Sequence, residues 1–249
     1  MTPLWPTVTF SPHQPTNSRR EVQIADFLLV LPVLVMSMVA HEYAHGYAAL
    51  RQGDNTAKML GRLTFNPVKH IDPWLTILLP AMLWFGSGGR FLFGGAKPVP
   101  VNPRNYRNYR RGDIIVSMAG IATNLALFLV FCGLAVVVGI LGHSGPAGLG
   151  LLVPLQRVLF WGIWFNLLLA NFNLIPIPPL DGSHVFYHLL PPELGLKYRQ
   201  LSRYGFLILL ALIYFMPGAL SIMLLPAIGM LRLALSLMSP FILVPFGVV

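Results

Sequence analysis

FLLVLPVLVMSMVAHEYAHGYAAL, residues Phe27 to Leu50, decides the fold class. It is long enough to cross a hydrocarbon core, which takes about 20 helical residues. Near its end the run carries His41-Glu42-Tyr43-Ala44-His45, three ionisable groups where such groups cost several kcal/mol unless they line a functional cavity. Positions i and i+4 of a helix share a face, so His41 and His45 aim their imidazoles at one ion while Glu42 sits beside them as a base. The run therefore reads as a membrane helix that carries half of a metal site.

The rest of the chain agrees with a membrane setting. Of 249 residues, 55% are apolar and 10% charged, against about one quarter charged in ordinary soluble domains, and the mean hydropathy is +0.68. The net charge of +9 does not point to nucleic acid, because Arg51, Lys58, Arg62, Lys69, Arg104, Arg107, Arg110 and Arg111 flank apolar runs. Basic residues at such places set topology and meet anionic lipid. Cys132 is the single cysteine, which excludes an intrachain disulfide and a cysteine metal cage.

Apolar runs at 27–50, 114–141, 155–175, 205–216 and 219–237 predict helices, and 71–85 is a shorter candidate. The expectation is an all-α multi-pass membrane protein with about four to six crossings. Residues 1–25, polar and bearing Pro3, Pro6, Pro12 and Pro15, are expected to form a flexible arm, and 26–249 one membrane domain. The segment 104–111 holds four arginines and 142–154 no Lys or Arg, which predicts that 114–141 runs from cytoplasm to exterior. The following helix then returns Asp181 to the cytoplasmic side. His41 lies about 14 residues, roughly 21 Å, into its helix, so it reaches the same depth if the amino terminus is outside and 51–70 is cytoplasmic. Arg19 and Arg20 argue the other way.

A catalytic zinc usually takes three protein ligands and a water, so two histidines require a third group from elsewhere. Asp181 closes Asn173-Leu174-Ile175-Pro176-Ile177-Pro178-Pro179-Leu180-Asp181-Gly182, where prolines end the helix and expose backbone groups that only a polar cavity satisfies. The chain has eight acids, so rivals are few; Asp26 and Asp72 fit helix starts and Asp113 lies beside the arginine cluster. Asp-Gly is also an ordinary turn pair, the plainer reading of Asp181. His70 and His184 read as interfacial or internally satisfied histidines.

HEYAH on a membrane helix and the later Asn173–Gly182 segment together resemble the site-2 protease family of intramembrane zinc metalloproteases. The resemblance extends to Gly61-Arg62-Leu63-Thr64-Phe65-Asn66-Pro67-Val68-Lys69-His70-Ile71-Asp72-Pro73 and Gly95-Ala96-Lys97-Pro98-Val99-Pro100-Val101-Asn102-Pro103, which look like the small branch that lacks an inserted soluble domain. It implies one zinc per chain bound by His41, His45 and Asp181, with Glu42 as catalytic base and Asn173 in a substrate-side motif. Two positions depart from the family pattern: Ile121 stands where proline is common, and Gly95 where an aromatic is common. Asn124 or Asn173 could hydrogen-bond the oxyanion or hold the substrate backbone; the plainer role for both is joining helices.

Cleavage within a helix requires the substrate to unwind, and an extended peptide needs an edge to pair with. In Lys97-Pro98-Val99-Pro100-Val101 the missing donors of the two prolines fall on one edge, leaving Lys97, Val99 and Val101 to form a β-like hairpin or loop that clamps substrate by strand addition. The expected partners are thus the lipid bilayer and a transmembrane protein substrate, with no nucleic acid. The expected location is the cell membrane, with the site toward the cytoplasm. The competing reading is a catalytically silent membrane protein of the same fold, serving as a binding scaffold or metal transporter. An intact Glu42 counts against it, because neither role needs a base beside the histidines.

Overall fold

The computed structural model describes residues 16–89, 92, 94–145 and 148–243. Helix α1 spans Thr16–Gln52, α2 is the short Thr56–Met59, and a π-helical turn Pro73–Leu78 runs into α3, Leu79–Gly86. The long helices α4 (Tyr109–His143) and α5 (Leu149–Leu174) follow, then α6 (Gly182–Leu189), α7 (Pro192–Gln200), α8 (Gly205–Phe215), α9 (Pro217–Met223) and α10 (Leu225–Met238). Among the described residues, three stretches are long and apolar enough to cross a membrane: Ile24–Gln52, Tyr109–His143 and Leu149–Leu174.

Two boundaries differ from the sequence expectation, both for reasons of proline placement. Helix α1 begins at Thr16, ahead of the apolar run; after Pro15 no proline interrupts the chain until Pro32. Residues 1–15 lie outside the described residues. The run 219–237 is divided between α9 and α10, with Pro226 in the first turn of α10. Helix α8 has 11 residues, about 16 Å at 1.5 Å per residue, too short to cross alone. The described residues contain no β-strand: 94–102 is extended, without a hairpin partner.

The long helices pack through two apolar clusters. One joins α4, α5 and α10 through Phe128, Ala135, Leu159, Ile163, Leu167 and Leu231. Gly162 lets α5 approach α4 closely, since a Cβ there would meet the Phe131 ring at 2.6 Å. The other cluster joins α1, α3 and α5 through Val30, Leu34, Met38, Trp84, Trp161 and Phe165, with Trp84 wholly buried. In lipid such packing gains van der Waals contact rather than water exclusion, so small residues and polar bridges matter more than in soluble cores. Gln156 is one such bridge: its amide donates to Ala135 O (3.0 Å) and Phe241 O (2.8 Å) and accepts from Leu243 N (2.9 Å), pinning the carboxy-terminal segment.

The opposite end of the bundle is tied by polar groups. Arg107 N donates to Gln52 O (2.8 Å), which brings the start of α4 to the end of α1. Asp54, wholly buried, accepts from Asn102 N (2.7 Å), Asn105 Nδ2 (2.8 Å), Thr56 N (3.1 Å) and Thr56 Oγ1. Burial alone would raise the Asp54 carboxyl, but these donors outweigh it and hold the group below the usual carboxylate range. The basic loops 51–70 and 104–111 therefore share one end of the bundle.

Candidate metal centre

His41 and His45 lie one turn apart on α1, their ring centroids 4.5 Å apart. Asp181 arrives from the other side of the chain, where Pro176, Pro178 and Pro179 end α5 and lead into α6. Gly182 fits the chain back onto the end of α5: a Cβ there would stand 2.2 Å from Leu174 O, so the residue after Asp181 has to be glycine for close approach, not for a loose turn. One ligand atom from each of His41, His45 and Asp181 falls within 4.8 Å of the others.

Orientation of the two imidazoles fixes their chemistry. His41 Nδ1 lies 2.5 Å from Asn124 Oδ1, and His45 Nδ1 lies 2.7 Å from the Val116 carbonyl oxygen. Oxygen accepts, so both Nδ1 atoms carry a proton, and in the neutral rings that a metal requires both Nε2 atoms present lone pairs. Those lone pairs are 2.9 Å apart and stand 3.1 and 3.2 Å from Asp181 Oδ2. Asp181 Oδ2 is buried and has no hydrogen-bond donor among the described residues. Three acceptors converging with no donor between them repel one another unless a cation sits among them, which is the demand of a metal site.

Room for the ion comes from α4. A Cβ on Gly120 would lie 2.5 Å from His45 Nε2 and 2.6 Å from His41 Nε2, so glycine leaves open the space in front of both ligand atoms. Two imidazoles and a carboxylate suit zinc, whose bonds to such groups run about 2.0–2.2 Å.

Asn124 is wholly buried and both ends of its amide are committed: Oδ1 to His41, Nδ2 to Asn166 Oδ1 at 2.8 Å. It is a holder of His41 rather than a donor free for an oxyanion. Asn166, also wholly buried, donates in turn to Ser37 Oγ and Gly162 O, each at 2.9 Å. Sequence reasoning missed Asn166, Ser37 and the Val116 carbonyl; the one available signal was an amide in the middle of an apolar run. Asn173 is half-buried and its Nδ2 donates to Leu169 O of its own helix at 3.0 Å. His70 and His184 find internal partners, Thr64 O at 2.9 Å and Asp113 Oδ1 at 3.2 Å.

Two donors of the expected pairing edge of 97–101 are paired within the chain. Lys97 N donates to His70 O (2.8 Å) and Val99 N to Glu42 Oε2 (2.7 Å), while the carbonyls of Lys97 and Pro98 accept from the Arg62 guanidinium at 3.0 and 3.2 Å. Val99 is buried, seated where Gly46 leaves space on α1, and Val101 packs beside Ala49, Tyr106 and Val116. Backbone donors of a packed segment must be satisfied, and here the chain's own acceptors do it. Neither Lys97 nor Val99 offers a free donor to a substrate strand in this conformation.

Comparison with known proteins points to a zinc protease family. The family model for peptidase family M50 matches residues 147–215. The chain is 40% identical over 193 residues to a Bacillus subtilis protein named "Putative zinc metalloprotease YwhC", covering 74% of this chain and 81% of that one. It is 34% identical over 191 residues to "Putative zinc metalloprotease Rip2" of Mycolicibacterium smegmatis, covering 75% of this chain and 67% of that one. No solved structure matches.

Proposed function

The chain belongs to peptidase family M50, the site-2 proteases, and on that premise we propose that it is an intramembrane zinc endopeptidase that cuts transmembrane segments of other proteins. The observation that carries the reading is the donor-free convergence of His41 Nε2, His45 Nε2 and Asp181 Oδ2 in front of Gly120, one helical position from Glu42. Zinc held by these three groups would bring the pKa of a bound water toward about 7 and polarise the scissile carbonyl.

Glu42 supplies the proton transfer. Its Oε2 is held by the Val99 N–H at 2.7 Å, which fixes the carboxylate plane and leaves the other oxygen to take the proton from water and deliver it to the leaving amine. Asn124 acts on the reaction through His41, keeping its Nε2 lone pair directed at the metal. Asn173, at the end of α5, is our candidate for holding the substrate backbone. The bundle sits in the cell membrane with this site toward the cytoplasm, a reading supported by the basic residues at the end where α1 finishes and α4 begins.

The test is Glu42→Gln in purified, reconstituted full-length protein with a transmembrane peptide substrate recovered by trapping in membranes. The change keeps size and metal ligands but cannot accept a proton, so zinc content is unchanged while cleavage falls by orders of magnitude. Cleavage by Glu42→Gln at the wild-type rate, or none by zinc-loaded wild type on any trapped partner, would replace the protease reading with that of a silent scaffold.

A further inference from the structure

All three proposed ligands are steadied from one face of α4. Asn124 holds His41, the Val116 carbonyl holds His45, and Gly120 opens the space between them. Positions 116, 120 and 124 recur at helical spacing, and the same stripe continues back to Asp113. Asp113 is buried, and its carboxylate grips α6 at two points: His184 Nδ1 lies 3.2 Å from Oδ1, and His188 Nε2 lies 2.8 Å from Oδ2. His184 and His188 are themselves four apart, so they project from one side of α6. His188 is held further by Arg110, which donates to its carbonyl at 2.9 Å, and by the edge of Tyr109, ring centroids 5.5 Å apart.

Helix α6 begins at Gly182, directly after Asp181. Its eight residues make a helix too short to hold together without tertiary support. Metal bonds tolerate displacements of only about 0.2 Å. The prolines before Asp181 end α5, so the position of this ligand depends on where α6 docks, and α6 docks on Asp113.

We infer that Asp113, through His188 and to a lesser degree His184, is a positioning residue for Asp181, completing on α4 the support that Asn124 and Val116 give to the histidines. This rests on the zinc reading of the site. The cluster itself is satisfied internally, each carboxylate oxygen by an imidazole, and it touches no reacting atom.

The experiment measures zinc affinity of the detergent-solubilised full chain by chelator competition, together with the visible spectrum of the cobalt-substituted protein. Asp113→Ala and His188→Ala should each weaken zinc about 10–100-fold, the usual effect of losing a group that orients a ligand, and should shift the cobalt bands. Asp113→Asn, which keeps one acceptor oxygen, should fall between Asp113→Ala and wild type, and His184→Ala should have the smallest effect because that side chain is half exposed. In an Asp181→Asn background Asp113→Ala should add little, since the ligand it positions is already impaired. If Asp113→Ala does not fold, His188→Gln supplies the same measurement. Wild-type zinc affinity and cobalt spectrum in Asp113→Ala, or an equal loss with and without Asp181, would overturn the inference. Two zinc ions per chain, reduced to one by His188→Ala, would overturn it as well, making the cluster a metal site. Failure of wild type to bind any zinc would instead sink the reading of the centre itself.

Discussion

Gly120→Ala fills the space in front of the two histidines directly. The added methyl carbon would lie 2.5 Å from His45 Nε2 and 2.6 Å from His41 Nε2, about 0.9 Å inside the 3.4 Å at which ordinary contact begins. It would also stand where the proposed zinc would bind, since zinc–nitrogen bonds run about 2.0–2.1 Å. The rings cannot swing aside freely, because His41 Nδ1 is fixed on Asn124 at 2.5 Å and His45 Nδ1 on Val116 O at 2.7 Å. Making room costs both anchors. Each such loss weakens metal binding about 10–100-fold, so the two together give about 10²–10⁴, or roughly 3–5.5 kcal/mol. The helix does not suffer, since alanine is the better helix former by about 1 kcal/mol. Zinc per chain, measured by elemental analysis at buffered free zinc, and cleavage should fall together, and the metal-free protein should lose stability too, since each displaced buried anchor costs about 1–3 kcal/mol against the gain of about 1 kcal/mol from helix propensity. Gly133→Ala is the control on the same helix, with nothing within 4 Å of its added carbon. One zinc per chain at wild-type affinity in Gly120→Ala would refute the placement of the ion between these two histidines.

Asn166→Ala removes the group that fixes the Asn124 amide and leaves the Ser37 hydroxyl without that donor, so zinc affinity should drop, by less than in Asn124→Ala, and unfolding should cost about 1–3 kcal/mol less; chelator competition and denaturation in detergent check both, and full zinc affinity in Asn166→Ala would remove it from the chain of support. Asp54→Asn replaces one of two oxygens that receive four donors, so the loop 102–107 should loosen and the melting temperature at neutral pH should fall by an amount matching about 1–3 kcal/mol. The folded Asp54 carboxyl titrates below its ordinary value of 3.8, so its stabilisation is complete above that value and disappears as pH falls through the folded pKa. Wild type and Asp54→Asn should therefore converge in acid, and a gap that stays constant from neutral pH down into that range would show that the carboxylate charge plays no part.

The two halves of the candidate metal centre were legible in the sequence because each is local. An i, i+4 pair shares a face whatever surrounds it, and prolines end a helix wherever they fall, so His41, His45 and the break before Asp181 follow from spacing alone. What orients them is not local. Whether Asn124 faces His41, and Asn166 faces Asn124, depends on the register of α1, α4 and α5 against each other, set by contacts such as Gly162 beneath Phe131 and Trp84 against Trp161. Helix boundaries slipped for a different reason: hydropathy marks where a chain can enter lipid, whereas proline and hydrogen bonding mark where a helix stops, and at Thr16 the two do not coincide.

The loop 97–101 shows the limit most sharply. Alternation with Pro98 and Pro100 singles out Lys97, Val99 and Val101 as the residues whose N–H groups can pair, and the first two do pair, but with His70 O and Glu42 Oε2. The pattern fixes which donors exist, not which acceptors reach them first. Because one of those acceptors is the proposed base, any substrate strand that takes the Val99 N–H must leave Glu42 without its anchor. Substrate docking on this edge and orientation of Glu42 by it are thus mutually exclusive, so the peptide is either held elsewhere while the base is fixed or frees the base as it binds.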